Sequence, residues 1–113
     1  MEVNVRQKGK YRILDIDGDI NEIDNYNVLK EIIQNLIRKG SIFLALNLSN
    51  TTFLNSGAVG LFIAMQKKLK ALSGELVIVE PPQVILEILK ILNIEEAIKI
   101  YLSETELFAR IEG

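Results

Sequence analysis

The sequence predicts an α/β fold: a mostly parallel, mixed β-sheet of about five strands with four helices packed on it, in the order ββαβαβαβα. Three observations carry this. The runs Ser41-Ile42-Phe43-Leu44-Ala45-Leu46-Asn47-Leu48 and Glu75-Leu76-Val77-Ile78-Val79-Glu80 are too short and too continuously apolar for surface helices, and suit buried strands. The segments between and after them place apolar residues at three- and four-residue spacing, the period of an amphipathic helix. Strands that alternate with single helices need crossover connections, which align the strands and lay the helices on the sheet.

Each element has its own signal. Val3 and Val5, then Tyr11, Ile13, Leu14 and Ile16, form two runs of near-alternating polarity broken at Lys8-Gly9-Lys10, the pattern of a β-hairpin or bent edge pair. Gly18 then punctuates the chain, so Gly18-Asp19-Ile20-Asn21 reads as a loop. Val28, Leu29, Ile32, Ile33, Leu36 and Ile37 share one helix face, with Gly40 as the C-terminal cap. After the central strand, Ser49-Asn50-Thr51-Thr52 is a polar connection. A second helix follows Asn55-Ser56-Gly57, with Ala58, Leu61, Phe62, Met65, Leu69 and Leu72 on its apolar face and Ser73-Gly74 at its end. Pro81-Pro82 opens a third helix that turns Val84, Ile85, Ile88, Leu89 and Leu92 inward. Ile98-Lys99-Ile100-Tyr101 makes a last short strand. Ser103-Glu104-Thr105-Glu106 has the form of a capping box, and the helix behind it carries Leu107, Phe108 and Ile111.

Composition narrows the function classes. At 113 residues, 49% apolar and 25% charged, the chain (residues 1–113) suits a single folded domain with one core. The net charge of −2 is spread with both signs interspersed, which is not the footprint of nucleic-acid binding. Lys67, Lys68 and Lys70 form the densest basic run and fall on the wet face of a helix. Cysteine and histidine are absent from the sequence, which removes thiolate nucleophiles, Cys/His zinc sites and imidazole acid–base chemistry. No N-terminal signal pattern and no run of roughly 18 apolar residues is present, so a cytoplasmic protein without membrane insertion is expected.

In sheets of this kind ligands gather where strand ends feed helix N-termini, here Gly18–Asn21 and Leu54–Gly57. The second loop is no phosphate-binding loop, since it lacks both the GxxxxGK[ST] lysine and the GxGxxG spacing, and it is no nucleophile elbow. No cofactor is called for. Asp15, Asp17 and Asp19 alternate, which puts the carboxylates on one face of an extended strand; a solvated edge explains them more simply than a metal site. Ser56 stands out. Its simplest role is to cap the helix, because serine and asparagine oxygens accept hydrogen bonds from unpaired N–H groups. The same position would also accept a phosphate, whose charge of roughly −1.5 to −2 would meet free N–H groups and the positive end of the helix dipole.

The stretch Leu44-Ala45-Leu46-Asn47-Leu48-Ser49-Asn50-Thr51-Thr52-Phe53-Leu54-Asn55-Ser56-Gly57-Ala58-Val59-Gly60 resembles the signature of STAS domains, in particular the bacterial anti-sigma factor antagonists. That signature is an apolar strand ending in Asp/Asn-Leu, a short loop, then Phe-(apolar)-Asp-Ser-(small)-Gly-(apolar)-Gly opening a helix. Gly18-Asp19-Ile20-Asn21 is similar to the family's Gly-Glu-Leu-Asp, and Ser73-Gly74-Glu75-Leu76 to its Gly-Gly strand entry. Ile91-Leu92-Asn93-Ile94 stands where a Ser/Thr-Gly-Leu turn is usual. Asn55 and Asn21 replace aspartates, and Ala58 replaces a glycine.

The resemblance implies a non-enzymatic protein that acts by partner switching. Its partner would be an anti-sigma factor with serine kinase activity, which phosphorylates the residue matching Ser56; a serine phosphatase would restore it. The partner-binding surface would comprise Asn21, Asn55, Ser56, Gly57, Ala58, Val59 and Gly60, on a monomer or weak dimer. The alternative is a STAS accessory or scaffold subunit of a lipid-transport or sensory assembly that works without phosphorylation.

Overall fold

The computed structural model describes residues 1–112, with the side chains of residues 111 and 112 excepted, so the inward position expected for Ile111 lies outside the described residues. The elements are β1 (Glu2–Lys8), β2 (Tyr11–Ile20), α1 (Ile23–Arg38), β3 (Phe43–Asn47), β4 (Thr51–Leu54), α2 (Ser56–Ala71), β5 (Glu75–Val79), α3 (Gln83–Ile91), a 3₁₀ turn at Ile94–Glu96, β6 (Ile100–Tyr101) and α4 (Glu104–Glu112). The strands lie in the order β1-β2-β3-β5-β6, with β4 paired to the end of β2. Only the β1–β2 pair is antiparallel. The predicted α/β class, the mostly parallel sheet and the four helices are all present.

Alternation along the strands splits the core in two. On one face Leu14, Ile16, Leu44, Leu46, Leu76 and Ile78 pack with Leu29 and Ile33 of α1, Phe62 and Leu69 of α2, and Ile85 and Leu89 of α3. On the other, Tyr11, Ile13, Ala45, Val77 and Val79 meet Leu107 of α4. This is why the two central strands read as continuously apolar: both faces are covered.

The hairpin turns at Gly9-Lys10, a two-residue loop with Lys8 paired to Tyr11 and Gly9 at φ +58°, a conformation that favours glycine. The Schellman bonds that close α1 run from Gly40 N–H to Ile37 O and from Ser41 N–H to Leu36 O, at 2.9 Å each.

Four expectations need correcting. Gly18 does not end the second strand; at φ +93° it sits inside β2, where the pairing register with β4 shifts, and the strand continues to Ile20. The polar stretch Thr51-Thr52 is not a connection but the start of β4. Thr51 is buried there, and its hydroxyl donates to Ile16 O at 2.7 Å, so a polar residue satisfies itself within the sheet. Val28, Leu72, Val84 and Leu92 lie at the margins of their apolar stripes and are 49%, 47%, 62% and 37% exposed. Only half of the capping box forms among the described residues: Glu106 N–H donates to Ser103 Oγ at 3.0 Å, but the Glu106 carboxylate does not take the Ser103 N–H in return.

Candidate functional site

β2 and β4 run parallel and end side by side, with Ile20 opposite Leu54 and both buried. The two anchored apolar residues deliver the next residue of each strand, Asn21 and Asn55, to adjacent positions at the carboxyl end of the sheet. Asn55 has extended backbone (φ −121°, ψ −176°) and caps α2, its Oδ1 accepting from Ala58 N–H at 3.1 Å. The same oxygen accepts from the Tyr26 hydroxyl, and Nδ2 donates to Asn21 O at 3.2 Å. Asn21 N–H in turn donates to Asn25 Oδ1 at 3.3 Å.

The expected capping by Ser56 is therefore overturned. Asn55 fills that position, and Ser56 is the first residue inside α2, exposed and outside the cap. The N–H groups of Ser56 and Gly57 belong to the first turn, which leaves its donors without intrahelical acceptors. No acidic side chain occupies that turn. Of the residues expected on a partner-binding surface, Asn21, Ser56, Gly57 and Gly60 are exposed and Asn55 is half-buried. Ala58 and Val59 are not surface residues: both are buried in the core, because their helical positions face the sheet.

Tyr26 was not foreseen. It lies across Gly57 so closely that a Cβ there would stand 2.5 Å from the tyrosine oxygen, whereas a Cβ on Gly60 would meet nothing within 4 Å. Its signal was present, since Tyr26 precedes Leu29 and Ile33 by three and seven positions on the buried stripe of α1. A phenol placed there needs a polar partner for its hydroxyl.

A second polar region was not foreseen at all. Beyond the edge of α4, the sheet face opens into a cavity of about 840 Å³ lined by Glu2, Asn4, Asp15, Asp17, Ser49 and Asn50 among others. At its floor Arg6 holds Asp15 through a bidentate pair of 2.6 and 2.9 Å, and Glu104 at 2.6 Å. Buried Asn47 donates to Glu104 Oε2 at 2.7 Å. The Arg6 bond holds the Glu104 carboxyl below its usual range, against the opposing effect of burial, with Asn47 and Lys8 assisting. Asp15 and Asp17 line this cavity, but Asp19 does not share their surroundings. Asp19 lies further along β2, beside β4, and accepts from the Thr52 hydroxyl. β2 is also no edge strand, since β1 covers it. Among the described residues no cluster of acidic, histidine or cysteine side chains could hold a metal ion. No helix among the described residues is long and apolar enough to cross a membrane.

Comparison with known proteins agrees with this fold. The family model of the STAS domain matches residues 2–107. No curated protein matches the chain by sequence. Among solved structures, an anti-sigma factor antagonist from Mycobacterium paratuberculosis superposes with a TM-score of 0.86 at 14% identity, covering 99% of this chain and 94% of that one. The anti-sigma factor antagonist SpoIIAA in its unphosphorylated form gives 0.81 at 16% identity over 99% and 97%. The Bacillus cell fate determinant SpoIIAA in the phosphorylated form gives 0.72 at 15% identity over 97% and 99%. At such identities the likeness is one of fold.

Proposed function

Because the chain belongs to the STAS domain family, we propose that it is an anti-sigma factor antagonist, a cytoplasmic bacterial regulator of transcription that acts by binding and not by catalysis. Its partner is an anti-sigma factor with serine kinase activity, and phosphorylation of Ser56 releases that partner. One observation carries the reading. Ser56 is exposed at the first position of α2, and its hydroxyl is spared from capping because Asn55 does that work. A phosphate there would lie against the free N–H groups of the first turn and the positive end of the helix dipole, so the fold would tolerate it. A docked partner would instead meet new charge at the interface.

The surface around Ser56 suits a protein partner. Asn21, Gly57 and Gly60 are exposed beside it, and the elements place exposed Ile23, Phe53 and Val84 at the same carboxyl end of the sheet. Exposed apolar residues grouped at one end, with polar neighbours, are the usual make-up of a protein-binding surface.

The test is intact-mass spectrometry after incubation with ATP and a candidate anti-sigma kinase, with Ser56→Ala as control and binding measured by calorimetry. We expect one added phosphate, lost in Ser56→Ala, and at least tenfold weaker binding for Ser56→Asp. No phosphate from a kinase active on another substrate, with unchanged binding by Ser56→Asp, would overturn the switch in favour of a constitutive scaffold subunit.

A further inference from the structure

β1 is an edge strand seven residues long, whereas the opposite edge of the sheet, β6, has two residues. The outer side of β1 therefore offers a row of backbone groups that no strand among the described residues takes up. Which residues offer them follows from the hairpin. Lys8 and Tyr11 flank a two-residue loop, so they form a hydrogen-bonded pair, and every second pair back along β1 does the same. Glu2, Asn4, Arg6 and Lys8 thus turn their N–H and C=O groups toward β2. Val3, Val5 and Gln7 turn theirs outward.

We propose that β1 pairs antiparallel with β1 of a second copy of this chain, centred on Val5, to join two sheets into one. In this register Val5 opposes Val5 of the second copy and Val3 opposes Gln7, so every outward donor and acceptor meets its complement. The side chains agree. Glu2 lies opposite Lys8 at both ends of the pair, and Asn4 lies opposite Arg6, on the face away from α1, α2 and α3. Charged residues protect a sheet edge when like charges would meet; along Glu-Val-Asn-Val-Arg-Gln-Lys the sign reverses from end to end, which favours self-pairing. Moving the register two residues toward the C-terminus sets Arg6 against Arg6, and two residues the other way leaves Gln7 and Lys8 unpaired. Val5, 40% exposed at the edge, gains an apolar partner. Lys8 is loosely held by Glu104 at 3.7 Å and can turn toward Glu2 of the second copy. None of these residues belongs to the Ser56 surface, so the dimer would present two such surfaces and its failure would leave the proposed function untouched.

Two short strands bury a small area, so the dimer belongs to the weak class, assembling between about 10 µM and 1 mM. The native chain has no cysteine, which makes disulfide mapping clean. In Val5→Cys the paired Cα atoms would be about 5.5 Å apart, within the disulfide range. In Gln7→Cys the two thiols would be offset by about 14 Å. We expect the mass by light scattering to rise toward a dimer over that range, with oxidative cross-linking of Val5→Cys and none of Gln7→Cys. Val5→Pro removes only an outward N–H, so it should keep the wild-type circular dichroism and remain monomeric. A chain that stays monomeric at about 1 mM, or a dimer that survives Val5→Pro and does not cross-link through Val5→Cys, would overturn the proposal.

Discussion

Asn55 joins three elements through one amide. It caps α2, takes the Tyr26 hydroxyl of α1, and donates to the carbonyl that follows β2. The donated bond explains why an amide suits this position, since a carboxylate has no proton to offer Asn21 O. Gly57 and Gly60 flank the same serine for different reasons. Gly57 is required by the close approach of Tyr26, but Gly60 has open space where a Cβ would go. Gly60→Ala should therefore stabilise the free protein by about 0.5–1 kcal/mol through helix propensity, measured by urea unfolding. If a partner lies against this turn, the same change weakens binding, so the two readouts move in opposite directions. The serine and its glycines were legible from the motif; which side chain caps the helix was not, because serine and asparagine are both good caps and only the backbone conformation chooses between them.

At the scale of elements, α4 is held to the sheet by a polar anchor at its start and an apolar one further along. Glu104 binds Arg6 of β1 and Asn47 of β3, while the Glu80 carboxylate receives its N–H. Leu107 is buried on the second sheet face. The Glu104 carboxyl is held below its ordinary value of 4.5. A lowered folded-state pKa contributes stability that is present above the unfolded value and lost as pH falls through the folded one. Stability should therefore decline as pH drops below about 4.5, and Glu104→Gln should flatten that decline while lowering stability at neutral pH. Urea titrations across pH 3–7 (about one unit per step) would check both. An equally steep acid decline in Glu104→Gln would place the sensitivity in another carboxylate. None of this anchor was legible in the sequence, since its members lie far apart along the chain and no local pattern pairs Arg6 with Glu104 or Asn47.

For the molecule as a whole, the two cores differ in size. The face beneath α1, α2 and α3 holds Phe62, fully buried, as its largest side chain. The other holds an aromatic group in which Tyr11 meets Phe43 at 5.9 Å and Phe108 at 6.2 Å, both edge-on. Phe62→Ala should cost about 3–5 kcal/mol. That is a large part of the 5–15 kcal/mol (roughly) that such a domain has to lose. Thermal unfolding should show a clear fall in midpoint, and an unchanged midpoint would mean that the larger core does not govern global stability.

The sequence by itself determined the class of fold, the order of its long elements and the serine at the mouth of α2. Those features follow from local chemistry: apolar period, helix punctuation and a contiguous motif. Only the tertiary structure decided what depends on neighbours distant in sequence. β4 exists because the end of β2 offers it a partner, although its first two residues, Thr51 and Thr52, read as part of a polar connection. Gln66 can lie buried in α2 because Leu76 N–H and Ala97 O come to meet its amide at 2.7 and 3.1 Å. Asp19 accepts from the Thr52 hydroxyl because β4 pairs with the end of β2. In each case the polar group is satisfied by a backbone or side chain that folding brings to it, and hydropathy along the chain does not encode where that partner comes from.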